Sequence, residues 1–543
     1  MIWRLESLGH LVTPVARLNL AWAALLGLLA WCSWSGHEGL RGLQVLMLAL
    51  PGWIWLRWPL QQPGWRWLRA LLVTPLLLMF VLDAAVRAYL RASYGALPDS
   101  ALVLTAAANT TPRESLEYLQ AQLPRLWPVL LAGALVLAAT LALVGGLQRQ
   151  AQPLRRPARA LLLVLLALCC LGYASKPWRR HHPAAFWPRW AGTVETLRSS
   201  WSDQAAQREQ LLAQARQAQP RFLGQGPSTV VLVLTDSVNR DNMSLYGYAR
   251  DTTPQLRALA QEEVQRLLVL RQAWSAEAAT VPALAGLFGL GERRAPTQHL
   301  LALARQAGYR VWWMSNHDDI AIDQQHAQLA DHVEMINREP GRSTSSLDSE
   351  LLDCLEEALV DPQPRKLIVL HLLGTHPHYH QRVPQDFHPF DAGGDAVERQ
   401  LESQGRPRWL REQRQIYDGA MRYHDGVVAQ TLRLTRRHVP STGHGAWMYV
   451  SDHGQEVGHA ANHAGHSPTT EAGYRVPALL WRAQPLFAPE AATRPFRVDW
   501  AAWTLAELLQ IDWQGMAAGR NVLQPDYRWQ PPLLPLADVD FSR

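Results

Sequence analysis

The sequence predicts two architectures in one chain: a bundle of five transmembrane helices, then an outer α/β domain whose mainly parallel sheet is sandwiched by helices. Three observations carry that prediction. Apolar stretches near 18–35, 43–60, 69–90, 126–147 and 159–174 approach the roughly 17–25 residues that a membrane crossing needs. From residue 226 onward, short apolar runs alternate with segments of helical spacing, the pattern of strands buried on both faces. Acids and histidines gather after residue 230, where strands would end.

The apolar third is read first. Trp31, Trp34, Trp53, Trp55 and Trp58 sit near helix ends, where an interfacial aromatic belt is expected. Arg4 and Arg17 precede the first stretch. Arg57, Arg66 and Arg69 lie between the second and third, and Arg149, Arg155, Arg156 and Arg159 between the fourth and fifth. The positive-inside rule then puts the N-terminus in the cytoplasm and everything after residue 175 outside. No small-residue cleavage site follows the first stretch, so it reads as an anchor. Residues 91–125 are too polar to span and too long for a simple turn, which suggests a binding segment or a local fold. Residues 1–175 are therefore assigned to the membrane, 176–225 to an amphipathic interfacial linker, and 226–543 to the outer domain. The linker opens with the basic, aromatic KPWRRHHPAAFWPRW.

Composition removes some classes. The net charge of +6 comes mostly from arginines flanking apolar segments, and no basic helix or aromatic-basic module appears, so no nucleic-acid partner is expected. Of four cysteines, Cys32, Cys169 and Cys170 lie in apolar stretches. Cys354 is alone in the outer domain and cannot pair within it.

The predicted strands are TVVLVL (229–234), YRVWWMS (309–315), KLIVLHLL (366–373), GAWMYVS (445–451) and VPALLW (476–481). Ligands of such sheets gather beyond the carboxyl ends of the strands. The first strand runs into Asp236, the third into GTHPHYH with His376, His378 and His380, and the fourth into DHG with Asp452 and His453. Three strand ends carrying Asp and His suit zinc or manganese better than calcium, which prefers oxygen alone.

SLYGYARDTTP, HLLGTHPHYHQRVP, YDGAMRYHD, YVSDHG and GHSPTTEAGYRVPALLW together resemble the bacterial membrane-anchored phosphoethanolamine transferases, of the alkaline phosphatase and sulfatase superfamily. GTHPHY is closer to the branch acting on lipopolysaccharide core sugars. The resemblance implies one or two zinc ions. Asp236, Asp452 and His453 would hold one zinc together with the nucleophile, and His376 and His466 a second metal or the phosphate. Counting back from Thr280-Val281-Pro282 puts Ser275 at the nucleophile position, with Thr280 as the alternative. Asn109, Thr110 and Glu114 match the segment that handles the ethanolamine headgroup. A helix start with Thr110, Pro112 and Glu114 is the other reading of the same residues. Asn316, His317 and His378 are placed at the substrate.

Three positions depart from the family pattern: Asp236 stands where Glu is usual, Ser275 where Thr is, and Gln455 where Glu follows DHG. The implied reaction is ping-pong transfer of phosphoethanolamine from phosphatidylethanolamine to lipopolysaccharide through a covalent phospho-Ser/Thr enzyme. The implied location is the bacterial inner membrane, with the catalytic domain in the periplasm. The rival readings are a periplasmic phosphodiesterase or sulfatase-like hydrolase, and a non-catalytic lipid- or lipopolysaccharide-binding sensor. The segment SAEAA lacks the Cys/Ser-x-Pro-x-Arg step of sulfatases.

Overall fold

The computed structural model describes residues 14–542 apart from 38, 59, 61, 112–113, 118–119, 121–125, 145–154, 203–204, 293–294, 318–321, 323–324, 337–345, 391–393, 440–442 and 515–518. Arg4, Pro112 and Arg149 lie outside the described residues. Two compact units emerge: Met1–Leu104 with Ser115–Thr196, and Thr105–Glu114 with Leu197–Arg543.

The first unit contains helices α1 (Pro14–Gly36), α2 (Leu40–Arg57), α3 (Pro63–Tyr94), α4 (Trp127–Val144) and α5 (Arg156–Ala174). Among the described residues, four helices are long and apolar enough to cross a membrane, α1, α3, α4 and α5, rather than the five expected. Helix α2 falls short because Arg41, Gln44, Pro51 and Arg57 dilute its 18 residues. Trp53 is also not part of an interfacial belt. It is 4% exposed and stacks on Trp22 with ring centroids 3.6 Å apart. Each of these indoles donates to the other's backbone carbonyl, at 3.0 and 2.8 Å, which satisfies both N–H groups away from water.

The second unit is built on a seven-stranded sheet. Its strands are β1 (Ser228–Thr235), β2 (Leu267–Val269), β3 (Arg310–Ser315), β4 (His332–Met335), β5 (Arg365–Leu372), β6 (His444–Ser451) and β7 (Ala478–Arg482). The spatial order is β2-β7-β6-β1-β5-β3-β4. All five predicted strands form; the short edge strands β2 and β4 carry no comparable apolar run. The sheet is mixed: β6, β1, β5, β3 and β4 run parallel, whereas β7 is antiparallel to both β6 and β2. The reason lies in the connection. Parallel neighbours need a crossover to return to the same end of the sheet, but residues 452–477 stay at the carboxyl end and β7 simply runs back.

Alternation along β1 explains its unbroken apolar run. Val230, Leu232 and Leu234 enter one core, with helices α6 (Thr280–Phe288) and α9 (Ala501–Leu508). Val231 and Val233 enter the other, with α7 (Leu351–Val360) and α8 (Arg408–His438). A strand buried on both faces has no position for a polar residue until it leaves the sheet. That places the first polar residues of the central strands at one end.

Candidate active site

Register brings the acids together. Thr235 of β1 pairs with Ser451 of β6, so Asp236 and Asp452 leave neighbouring strands at the same level. Thr235 also pairs with Leu372 of β5, whose continuation carries Gly374, Thr375 and His376. Gly374 has φ +57°, and a Cβ there would lie 2.1 Å from Thr235 Oγ1 and 2.7 Å from the Asp236 carbonyl oxygen. Only glycine allows the β5 loop to fold this closely over Asp236.

Among the described residues, candidate ligand atoms fall into two groups, each within 4.8 Å: Asp236 with His376 and His466, and Asp236 with Asp452 and His453. Asp236 belongs to both. His453 Nε2 lies 3.7 Å from Asp236 Oδ1 and 3.5 Å from Asp452 Oδ2. Its Nδ1 faces the Gly454 carbonyl at 2.8 Å; donating there leaves the Nε2 lone pair for the centre. Asp452 Oδ2 is buried with no hydrogen-bond partner. An orphaned carboxylate oxygen among two acids and three imidazoles is what a bound cation would satisfy, so the donor set fits zinc.

The electrostatics agree. Burial, then Asp236, pushes the Asp452 carboxyl up to about 7. Burial opposes ionisation of Asp236 as well, but His376, His453, His317 and His466 hold it below the usual carboxylate range. Burial, then His453, pushes His466 down to about 3, and burial holds His376 well below the ordinary imidazole value. His376 and His466 are thus held neutral, whereas Asp452 and Asp236 raise His453 against its burial, and two carboxylates this close favour a cation between them.

The two candidate hydroxyls take different places. Thr280 Oγ1 donates to Asp236 Oδ2 at 2.8 Å and lies 3.3 Å from His453 Nε2. Thr280 is the first residue of α6, where backbone amides have no intrahelical partner. Ser275 is not brought to these ligands as the sequence count expected. Its hydroxyl donates to the Asp452 carbonyl at 2.6 Å and accepts from the Glu277 amide at 3.2 Å. The helix starts at Thr280, after an extended Ala279, and of the two candidate hydroxyls it is Thr280's that lies beside Asp236 and His453.

Other expected substrate residues have structural partners. Asn316 is fully buried, and its amide bonds the Ser346 carbonyl, Asp348 and the Ser346 hydroxyl, which ties these segments together. His317 is 3% exposed, with Nε2 3.1 Å from the Leu372 carbonyl and its ring stacked on His371. His378 sits in a left-handed conformation just before a 3-10 turn. Thr111, not Thr110, caps the segment beginning at Glu114. The Thr111 amide donates to Glu114 Oε2 at 2.9 Å and the Glu114 amide to Thr111 Oγ1 at 3.2 Å, a capping box. Thr110 Oγ1 donates to the Ala106 carbonyl, and Asn109 is 9% exposed. Gln455 donates to Tyr379 from a buried position.

Two of the sequence motifs turn out to be scaffold. In SLYGYARDTTP, Arg250 pairs with Asp395 and Asp418, and Thr252 and Thr253 accept from the amides of Ser244 and Leu245. In YDGAMRYHD on α8, Asp425 accepts from the amides of Gln255 and Leu256, and Tyr417 donates to the Ser237 carbonyl. These contacts hold the segment that follows Asp236. Sequence reading missed Ser237 itself, whose hydroxyl bonds Asp236 and whose amide bonds Asp452.

The fold defines a sulfatase-type α/β domain in a chain that also carries apolar helices of membrane-crossing length. Residues 228–498 match the Sulfatase family model, and residues 65–179 match that of phosphoethanolamine transferase EptA/EptB. Outside the Sulfatase match as well as within it, the chain is similar to phosphoethanolamine transferases. Phosphoethanolamine transferase EptC of Escherichia coli (strain K12) is 30% identical over 325 residues, covering 56% of this chain and 55% of that protein. The chain thus matches about half the length of that relative. The C-terminal periplasmic domain of EptC from Escherichia coli, solved in complex with Zn, is similar at 28% identity and TM-score 0.53, over 58% of this chain and 91% of that one. The integral membrane protein EptA from Neisseria meningitidis shares the fold at 18% identity and TM-score 0.57, over 92% of this chain and 98% of that one.

Proposed function

We propose that the protein transfers phosphoethanolamine from phosphatidylethanolamine to a lipopolysaccharide acceptor, through a phosphothreonine at Thr280. The observation that carries this reading is the convergence of Thr280 Oγ1 on Asp236 and His453 at the start of a helix. Asp236, Thr280, Asp452 and His453 would hold one zinc, and His376 and His466 a second ion or the phosphoryl group. The Zn complex of the Escherichia coli EptC domain supports that choice of metal. Zinc bound there supplies Lewis acidity, which lowers the hydroxyl pKa and neutralises phosphoryl charge.

The chain's own residues then account for the two half-reactions. The Thr280 hydroxyl proton is already shared with Asp236 Oδ2. As that proton leaves, the Oγ1–P bond forms and the bond from phosphorus to the diacylglycerol oxygen breaks, that oxygen taking up a proton. At the start of α6 the Thr280 and Val281 amides would be the ones left for the phosphoryl oxygens, since Pro282 has none and Ala283 donates to Ala279. An acceptor oxygen next attacks the phosphorus, and the Thr280 hydroxyl is restored. Asn109, Thr110 and Glu114 would bind the ethanolamine ammonium, with Glu114 supplying the charge.

The site would face the periplasm from the inner membrane. The arginine-rich loops and the periplasmic domain named in the relatives' structures support that placement. With a cytoplasmic N-terminus it requires an odd number of crossings, which helix α2 would complete.

The test is mass spectrometry of lipopolysaccharide from cells with wild-type protein, Thr280→Ala or no protein. Phosphoethanolamine on the glycolipid with the wild type alone is expected. Its absence from every envelope lipid and glycan would sink the transferase reading, and release of free phosphoethanolamine instead would favour a hydrolase.

A further inference from the structure

Ser237 is the most constrained residue at the end of β1. Its φ is +64°, the left-handed region that a residue with a Cβ adopts at a cost. It is fully buried. Its carbonyl accepts from Thr375 Oγ1 at 2.8 Å and from the Tyr417 hydroxyl at 2.9 Å, so two elements fix the orientation of that peptide. With the carbonyl turned toward Thr375 and Tyr417, the left-handed twist aims both the amide and the side chain into the site. The amide donates to Asp452 Oδ1 at 3.2 Å, an oxygen that the His453 amide also holds at 2.6 Å, and the hydroxyl donates to Asp236 Oδ1 at 2.5 Å and lies 3.2 Å from His466 Nε2.

We propose that Ser237 is a positioning residue of the metal centre, holding both carboxylates by one oxygen each so that their other oxygens face the reacting space. The consequence is visible on both acids. Asp236 keeps Oδ2 for Thr280, and Asp452 Oδ2 has no hydrogen-bond partner, with His453 Nε2 3.5 Å away. A backbone in this conformation would ordinarily favour glycine, asparagine or aspartate. Serine at this position sets a hydroxyl against Asp236 that glycine would lack. Strain retained at a buried position, with each polar atom bonded to a ligand or to the loops that fix it, is the mark of a functional constraint. Outer groups that orient ligand residues commonly change metal affinity when removed.

The inference rests on the zinc-dependent transfer proposed above, and its test separates the two. Full-length wild type, Ser237→Ala and Ser237→Gly are purified in detergent, and zinc affinity is measured by competition with a chromophoric chelator. Alanine keeps the backbone strain and loses only the hydroxyl; glycine loses the hydroxyl and relaxes the backbone. Both variants are expected to bind zinc about 10–100-fold more weakly. Their turnover should recover when zinc is raised above the weakened dissociation constant, with KM for donor lipid unchanged. Ser237→Ala binding zinc like the wild type overturns the proposal, even if Ser237→Gly is weakened, because the backbone and not the hydroxyl would then be responsible. Wild-type protein that binds zinc but transfers nothing sinks the transferase reading, and the zinc comparison still decides Ser237. Wild-type protein that binds no zinc overturns both.

Discussion

Exchanging the two candidate hydroxyls gives the sharpest prediction. Ser275 is 1% exposed and its oxygen makes two hydrogen bonds, to the Asp452 carbonyl and from the Glu277 amide. Ser275→Ala leaves both partners without it, a loss of about 1–3 kcal/mol for buried groups. In a domain of this size each kcal/mol lowers Tm by roughly 1.5 °C, so the variant should melt about 2–5 °C lower. No bond-forming atom is removed, and its rate in the folded state should stay within about tenfold of wild type. Thr280→Ala is the reverse case. Its Oγ1 also has two polar neighbours, Asp236 and His453, but it is the atom that would bond to phosphorus. Removing a covalent nucleophile costs roughly four to six orders of magnitude in kcat, whatever happens to Tm. The assay is transfer from a fluorescent phosphatidylethanolamine in detergent, run beside thermal unfolding of the same preparations. A folded Ser275→Ala protein without activity, together with an active Thr280→Ala protein, would refute the assignment.

Three further expectations can be checked separately. Burial holds His424 down to about 4 and His326 down to about 3, so between pH 6.5 and those values the unfolded chain binds protons that the native chain does not. Their contribution is present above pH 6.5 and is lost on acidification, by about 1.4 kcal/mol per pH unit for each histidine; urea midpoints unchanged from pH 7.5 to pH 5 would contradict this. Gly374→Ala forces a Cβ into Thr235 Oγ1 and adds about 1–2 kcal/mol of left-handed strain; both Tm and zinc content should fall together. Glu114→Gln keeps a capping box, since Gln serves there as well as Glu, but removes the charge. Tm should hold while KM for the donor lipid rises about tenfold or more; an unchanged KM would leave Glu114 with its capping role only.

What the sequence determined by itself follows from periodicity. A strand buried on both faces must be apolar throughout, so TVVLVL, KLIVLHLL and GAWMYVS declared both the sheet and the point where each strand ends. Asp236, Asp452, His453 and His376 lie within a few residues of those ends, and for that reason were legible. The acids come level because Thr235 pairs with Ser451, a register that sequence does not display. Tertiary structure alone decided the remainder. Ser275 and Thr280 are five residues apart on one segment, and only the start of α6 shows which hydroxyl reaches Asp236. Asn316 follows a strand as Asp236 does, yet its amide is taken up by Ser346 and Asp348. Ser237 and Gly374 depend on φ and on what each residue meets, and residue type alone records neither. Side-chain chemistry can be read in one dimension when local periodicity delivers it. The partner of each atom is set by contacts between segments far apart in the chain, and those exist only once the chain has folded.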